Sequence, residues 1–253
     1  MPSEPHSPLA QPRPAASLKI LGHFDLRIDR HSVYLPPAAQ RLLVYLALHA
    51  HGVPRERAAE LLWPDLPHAR AGASLRSALW RICRRGDQRL VDLDAARLAV
   101  CEHVDVDLHA ATRYAAALAN GPADEAPDAE VPALLCEDLL PGWYDDWLTD
   151  TREHFHQTRL HALEATSRHH RRHGRMWAAM TYAMTAVEAE PLRESAHREI
   201  TATHLAEGNT AEALRHFESY RRRLRSELGL CPSTDYRRLL APYLSRPTEA
   251  RRQ

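Results

Sequence analysis

Regular patterning begins at Leu18. Leu18-Lys-Ile20 is followed by Phe24, Leu26 and Ile28 interleaved with Asp25, Arg27 and Asp29, the period-two alternation of a half-buried strand. A turn near 29–32 and a further run, Val33-Tyr-Leu35, complete a predicted small sheet. Pro36-Pro37 ends it, and Pro37 stands where a helix can start. The rhythm then becomes helical: Ala39, Leu42, Leu43, Leu46, Ala47 and Ala50 recur at i, i+3, i+4 spacing, with Gly52 as the stop. Residues 53–62 predict a short second helix that Pro64 closes. A third helix is predicted over 69–85, with Leu75, Ala78, Leu79 and Ile82 as its apolar stripe. Leu90-Val91 and Leu98-Ala-Val100, separated by 92–97, predict a β-hairpin.

The second half of the chain is helical by the same test. Gly174 and Gly208 lie 34 residues apart, the tetratricopeptide period, and aligning them sets Ala179 on Ala213, Met180 on Leu214 and Ala186 on Tyr220. Each glycine is expected to turn the chain between paired helices, and Pro191 to separate the two pairs. Further helices are predicted at 110–119 and 147–173. The expected fold class is therefore mainly α. An N-terminal winged helix-turn-helix of the response-regulator type, with a small sheet and a wing, precedes an all-α tetratricopeptide-like domain. The expected boundaries are a disordered tail at 1–17, domains at 18–108 and 109–245, and a second tail at 246–253. The polar, acidic, proline-bearing stretch 120–130 reads equally as a linker or as an internal loop.

With 253 residues, the chain has room for two small domains. No apolar run is long enough to span a bilayer, and residues 1–17 contain no secretory apolar region. The four cysteines, Cys83, Cys101, Cys136 and Cys231, form no CxxC pair, which fits a reducing compartment. These features predict a cytoplasmic protein, associated with the nucleoid if it binds DNA, and no membrane partner.

A formal net charge of zero hides segregation. Six arginines face one acid, Asp87, between Arg70 and Arg89, whereas nine acids face only Arg113 between Ala110 and Asp150. Segregated charge suits a protein that offers one face to a polyanion. On a wheel of the third helix, Arg70, Ala73, Ser77, Trp80, Arg81 and Arg84 lie opposite the apolar stripe, with Ser74 and Arg76 on the flanks. Guanidinium forks match guanine edges and phosphate oxygens, and small residues allow close approach in a major groove. Arg85, Arg89 and Arg97 are candidate phosphate contacts. Trp80 fits a sugar–phosphate contact, a contact with the second domain, or a core position on a helix rotated from this reading.

Other constellations are weaker. His169 and His173 have two-histidine metal spacing, but no HExxH motif or nearby cysteine accompanies them. Trp143, Tyr144 and Trp147 with Asp145 and Asp146 read mainly as packing tryptophans beside solvated acids. No phosphate-loop, dinucleotide-loop or nucleophile signature is present, so neither catalytic residues nor a cofactor are expected. The arginine run at 221–225 reads as a solvated face, with DNA or a neighbouring subunit as the other option.

Ordered together, several runs resemble a known family. Leu21-Gly-His-Phe24, Gln40-Arg-Leu-Leu43, Leu61-Leu-Trp63-Pro64 and Ser74-Leu-Arg76…Leu79-Trp-Arg81 are similar to the DNA-binding domain of the SARP transcriptional activators of actinobacteria. Leu140-Pro-Gly142-Trp-Tyr144-Asp-Asp-Trp147, Pro191-Leu-Arg-Glu194, Glu207-Gly208, Ala213-Leu214 and Arg225-Ser-Glu-Leu-Gly229-Leu-Cys-Pro232-Ser233 resemble the bacterial transcriptional activator domain that accompanies it. The resemblance, over about 18–244, implies binding to direct repeats in double-stranded DNA near promoters. It also implies recruitment of RNA polymerase, often for secondary metabolism, with the helical domain available for a homodimer. The family's turn glycine is absent at 29–31, and its arginine-leucine-arginine is replaced by Arg81-Ile-Cys-Arg84. The alternative is a protein-interaction adaptor built on the helical repeats, with little or no specific DNA binding.

Overall fold

The computed structural model describes residues 16–83, 89–94, 96–120 and 131–244. The chain divides into two compact units, Met1–His109 with Leu139–Thr151, and Ala110–Asp138 with Arg152–Gln253. The expected tails and the 120–130 stretch fall largely outside the described residues. Ala16 and Ser17, expected in the first tail, instead belong to a strand.

In the first unit, β1 (Ala16–Lys19) pairs antiparallel with β2 (Asp25–Ile28), which pairs antiparallel with β3 (His31–Ser32). The expected third strand at Val33–Leu35 is displaced. Asp29 and Arg30, at φ 48° and 68°, make a tight left-handed turn, so pairing resumes at once with Ile28 opposite His31. Val33 N–H still reaches the Leu26 carbonyl at 2.8 Å. A fourth strand that the pattern did not announce, β7 (Val104–Val106), adds parallel to β1, giving the order β3-β2-β1-β7.

Three helices follow the first three strands. In α1 (Pro37–Ala47), Ala39 and the whole run Leu42–Ala47 are buried; Ala50, expected on the same stripe, lies beyond the helix end and is exposed. The second helix is shorter than expected. Val53–Pro54 is a strand, β4, and α2 spans Arg55–Leu62. The third helix, α3, spans His68–Cys83 and buries Ala71, Leu75, Ala78, Leu79 and Ile82. The predicted hairpin is present as β5 (Val91–Leu93) and β6 (Arg97–Val100); β6 also pairs with β4, giving the sheet β4-β6-β5. Gly52 makes that sheet possible. Its φ is +72°, and a Cβ there would stand 3.0 Å from the Leu98 carbonyl oxygen.

Residues 139–151, taken by their motifs with the second domain, pack in the first unit. Leu140 N–H donates to the Ile20 carbonyl at 3.0 Å, Trp143 stacks on Phe24, and Trp147 meets Tyr45 edge-on at 5.5 Å. Asp145 is no solvated acid. It accepts from Arg41 at 2.5 Å and from Trp147 Nε1 at 3.2 Å. At the other end of the unit, Asp107 accepts the N–H groups of Ile20, Leu21 and Leu108, tying β1 to the start of the next helix. Its burial nevertheless pushes the carboxyl above its usual range, beyond what those donors offset.

The second unit is helical: α4 (Asp107–Asn120) enters it, followed by a 3₁₀ turn (Val131–Cys136), α5 (Asp146–Arg172), α6 (Met176–Ala189), α7 (Glu194–Ala206), α8 (Thr210–Leu228) and α9 (Thr234–Leu244). The 34-residue period is structural. Gly174 and Gly208 turn α5 into α6 and α7 into α8 at φ +71° and +81°. Ala179 and Ala213, matched by that period, are both fully buried. Phe217, Tyr220, Leu224, Tyr236 and Leu240 form a core between α8 and α9. Two of the buried polar side chains here are answered: Glu164 accepts from Arg193 and Ser195, and Tyr236 donates to the His197 carbonyl at 3.1 Å.

Candidate nucleic-acid interface

The chemistry of α3 follows from its rotation. The apolar stripe Leu75, Ala78, Leu79 and Ile82 is at most 5% exposed, while Trp80 between its members is 53% exposed. The rotation read from the sequence is therefore the actual one, and a core position for Trp80 is excluded. Arg70, Arg76, Ser77 and Arg81 are exposed and Ser74 is partly so. The helix contains no carboxylate, and among the described residues Arg70, Arg76 and Arg81 make no ion pair. Arg81 lies 5.8 Å from the centre of the Trp80 ring, a cation–π distance that holds both side chains on the open face.

Beside this face is a notch of about 280 Å³ lined by Ser74, Ser77 and Arg81 together with Pro36, Ala38, Ala39 and Trp63. Sequence reasoning placed the two serines and Arg81 on the face but missed the other wall. The wall comes from the start of α1 and the end of α2, which only the three-helix packing brings to α3. The Trp63-Pro64 run at the end of α2 was the available signal.

The wing residues differ from the helix residues. Arg97 Nη2 donates to the carbonyls of His51 at 3.0 Å and Gly52 at 2.6 Å, so it holds the loop before β4. Arg55 braces the same region through the Asp94 carbonyl at 3.3 Å. Arg89 pairs with Asp92 at 2.9 Å and donates to the Val91 carbonyl, which leaves its charge partly neutralised. Arg84 and Arg85 lie outside the described residues.

The weaker constellations resolve into structural roles. His169 Nε2 accepts from Arg175 at 3.0 Å, and His173 Nδ1 donates to the His169 carbonyl at 2.8 Å. Among the described residues no group of three or more His, Cys, Asp or Glu side chains is placed to hold a metal. No described helix is long and apolar enough to cross a membrane.

The sequence profile of the bacterial transcriptional activator domain matches residues 106–242, more than half of the chain. The protein belongs to this family of bacterial transcriptional activators. The motif resemblance to SARP-type activators thus agrees with an independent comparison. The activator family is one of regulators and not a class of enzymes. Among solved structures, Mycobacterium tuberculosis EmbR, in complex with a low-affinity phosphopeptide, matches with a TM-score of 0.69 at 18% identity. The alignment covers 93% of the activator and 66% of EmbR, so the activator spans slightly less than two thirds of EmbR's length. At that identity the likeness speaks for the fold, a winged helix followed by a helical domain. No curated protein matches the chain.

Proposed function

We propose that the activator binds double-stranded DNA in a sequence-specific manner through α3 and the adjoining notch. One observation carries this reading: an exposed helix face with three guanidinium groups that make no ion pair among the described residues, in a helix that contains no acid. A major groove accommodates such a helix, and Arg70, Arg76 and Arg81 then read guanine edges or grip phosphates, while Ser74 and Ser77 permit close approach. Trp80 covers a sugar or phosphate. The same reading keeps Arg84 with Arg81 among the groove-reading residues and Arg85 among the phosphate contacts. Arg89 is a secondary phosphate contact, and Arg97 acts mainly by bracing the wing.

The helical unit then serves as the platform for RNA polymerase and for a second copy on a direct repeat. Work beside the nucleoid in the cytoplasm, with targets in secondary metabolism, completes the proposal. The phosphopeptide is part of the EmbR complex and forms no part of this reading.

Selection of genomic fragments by the purified full chain, followed by footprinting, tests the proposal. A recovered motif protected over two adjacent half-sites is the expected result. Failure to retain any duplex at low salt would instead favour an adaptor that works through its helical repeats.

A further inference from the structure

The helical unit carries an open groove of about 710 Å³ between α4 and α5, and it lies outside everything assigned above. That size is in the range of small-molecule sites. Its α5 wall is made by His154, Thr158, His161, Ala165, Arg168 and Arg172, spaced four, three, four, three and four residues apart. That is one straight face of helix, about 27 Å long. Its α4 wall is Thr112, Ala115, Ala116, Leu118 and Ala119, mostly methyl groups with one larger apolar side chain.

The two walls have a consistent chemistry. Among the described residues lining the groove there is no carboxylate, although α5 carries Glu153 and Glu164 on its other faces. Arg168 leans toward Glu199 at 3.4 Å, which also pairs with Arg171. Arg172 makes no ion pair among the described residues, and the His154 ring has no hydrogen-bond partner there. His161 receives Arg193 at 3.2 Å, and His169, 7% exposed, closes the far end. An alanine floor with a cationic and imidazole rim complements a ligand that has an apolar body and one anionic end. A planar carboxylate meets a guanidinium fork through two parallel hydrogen bonds.

We propose that the α4–α5 groove is a binding site for a small organic carboxylate with an apolar body, its carboxylate held at Arg172 and Arg168. The site does not depend on whether the chain binds DNA.

Dansylglycine, a fluorescent aromatic carboxylate, is a suitable probe for the full-length protein, with uncharged dansylamide as the control for its ring. The expected result is saturable, one-to-one binding of dansylglycine, with dansylamide weaker by about tenfold. Arg172→Gln is expected to weaken dansylglycine by about tenfold and leave dansylamide unchanged, with an unaltered thermal melt. Ala116→Trp, which fills the groove, is expected to abolish binding of both. Absence of saturable binding would overturn the proposal, as would binding that ignores Arg172→Gln or survives Ala116→Trp. It would equally be overturned if only a variant with Asp124, Glu125, Asp128 and Glu130 changed to amides bound the probe. In that case the chain's own acidic segment occupies the groove.

Discussion

Helices α3 and α8 look alike as strings, each rich in arginine with an apolar stripe, yet three of the five α8 arginines are paired with acids of their own helix, Arg222 and Arg225 being the exceptions. On α8, Arg221 pairs with Glu218 at 2.7 Å and Arg223 with Glu227 at 2.8 Å, and Arg215 pairs with Glu212. Each of those guanidinium groups has a carboxylate one turn away on its own helix. On α3 there is none to be had. The lesson is that arginine number measures little in a chain with 33 basic residues and zero net charge. What matters is whether an acid lies three or four residues away on the same face. Such exposed pairs add little stability, about 0.3–0.5 kcal/mol each, but they largely cancel the field that would attract a polyanion.

The contrast is broken most directly by removing guanidinium groups from each helix. Arg76→Ala and Arg81→Ala on α3 are each expected to cost about 1–3 kcal/mol in specific DNA affinity, measured by gel shift on a selected site. Arg221→Ala and Arg223→Ala on α8 are expected to change it by less than about 0.5 kcal/mol. Equal losses from both helices would erase the distinction.

Acid separates the two units by a different route. His216 is half-buried against His197, with the two rings 3.0 Å apart at Nε2 and Nδ1, and desolvation first, then that neighbour, pull its pKa down to about 4. His197 is shifted the same way by its own burial, although its other nitrogen donates to the Pro191 carbonyl. An unfolded chain protonates both near pH 6.5, so between about 6.5 and 4 it binds more protons than the folded chain. Stability of the helical unit therefore falls as pH drops through that window. A loss of about 1–2 kcal/mol is expected after allowance for partial exposure, read from denaturant midpoints. His216→Gln should flatten the profile; an unchanged slope would remove this pair as its source.

A smaller effect is expected at the β2–β3 turn, where Arg30 holds a left-handed backbone that a side chain disfavours. Arg30→Gly should stabilise the first unit by about 0.5–1 kcal/mol in chemical denaturation. A destabilised protein would mean that the arginine side chain contributes more than its backbone strain costs. The smallest change sharpens the original contrast. Glu218→Gln frees Arg221 on α8 and should steepen the salt dependence of non-specific DNA binding by at most about one unit. A rise in sequence-specific affinity would show that α8 also reads DNA.

Much of this was legible in the one-dimensional pattern, for a local reason. The stripe on α3, the wing strands and the 34-residue glycine period are short-range features, because a helix or hairpin declares its buried face within a few residues. The left-handed glycines at 174 and 208 turned out to be the turns that the period demanded. The exposed face of α3, from Arg70 to Arg81, could be read for the same reason.

Whatever depended on distant partners stayed hidden. Val53–Pro54 is too short to read as a strand and becomes one only because β6 lies beside it. Val104–Val106 joins β1 across more than eighty residues of chain, and the Trp143–Trp147 run packs on Phe24 and Tyr45 of the first unit despite its place in a helical-domain motif. Arg97, a candidate phosphate contact, also holds the carbonyls of His51 and Gly52, which its place in the chain did not announce. The sequence by itself determined which residues face inward on each element and where helices turn, since periodicity and backbone preference act locally. Tertiary structure alone decided which charges remain unpaired and which walls enclose a notch or groove, because those depend on neighbours that only folding supplies.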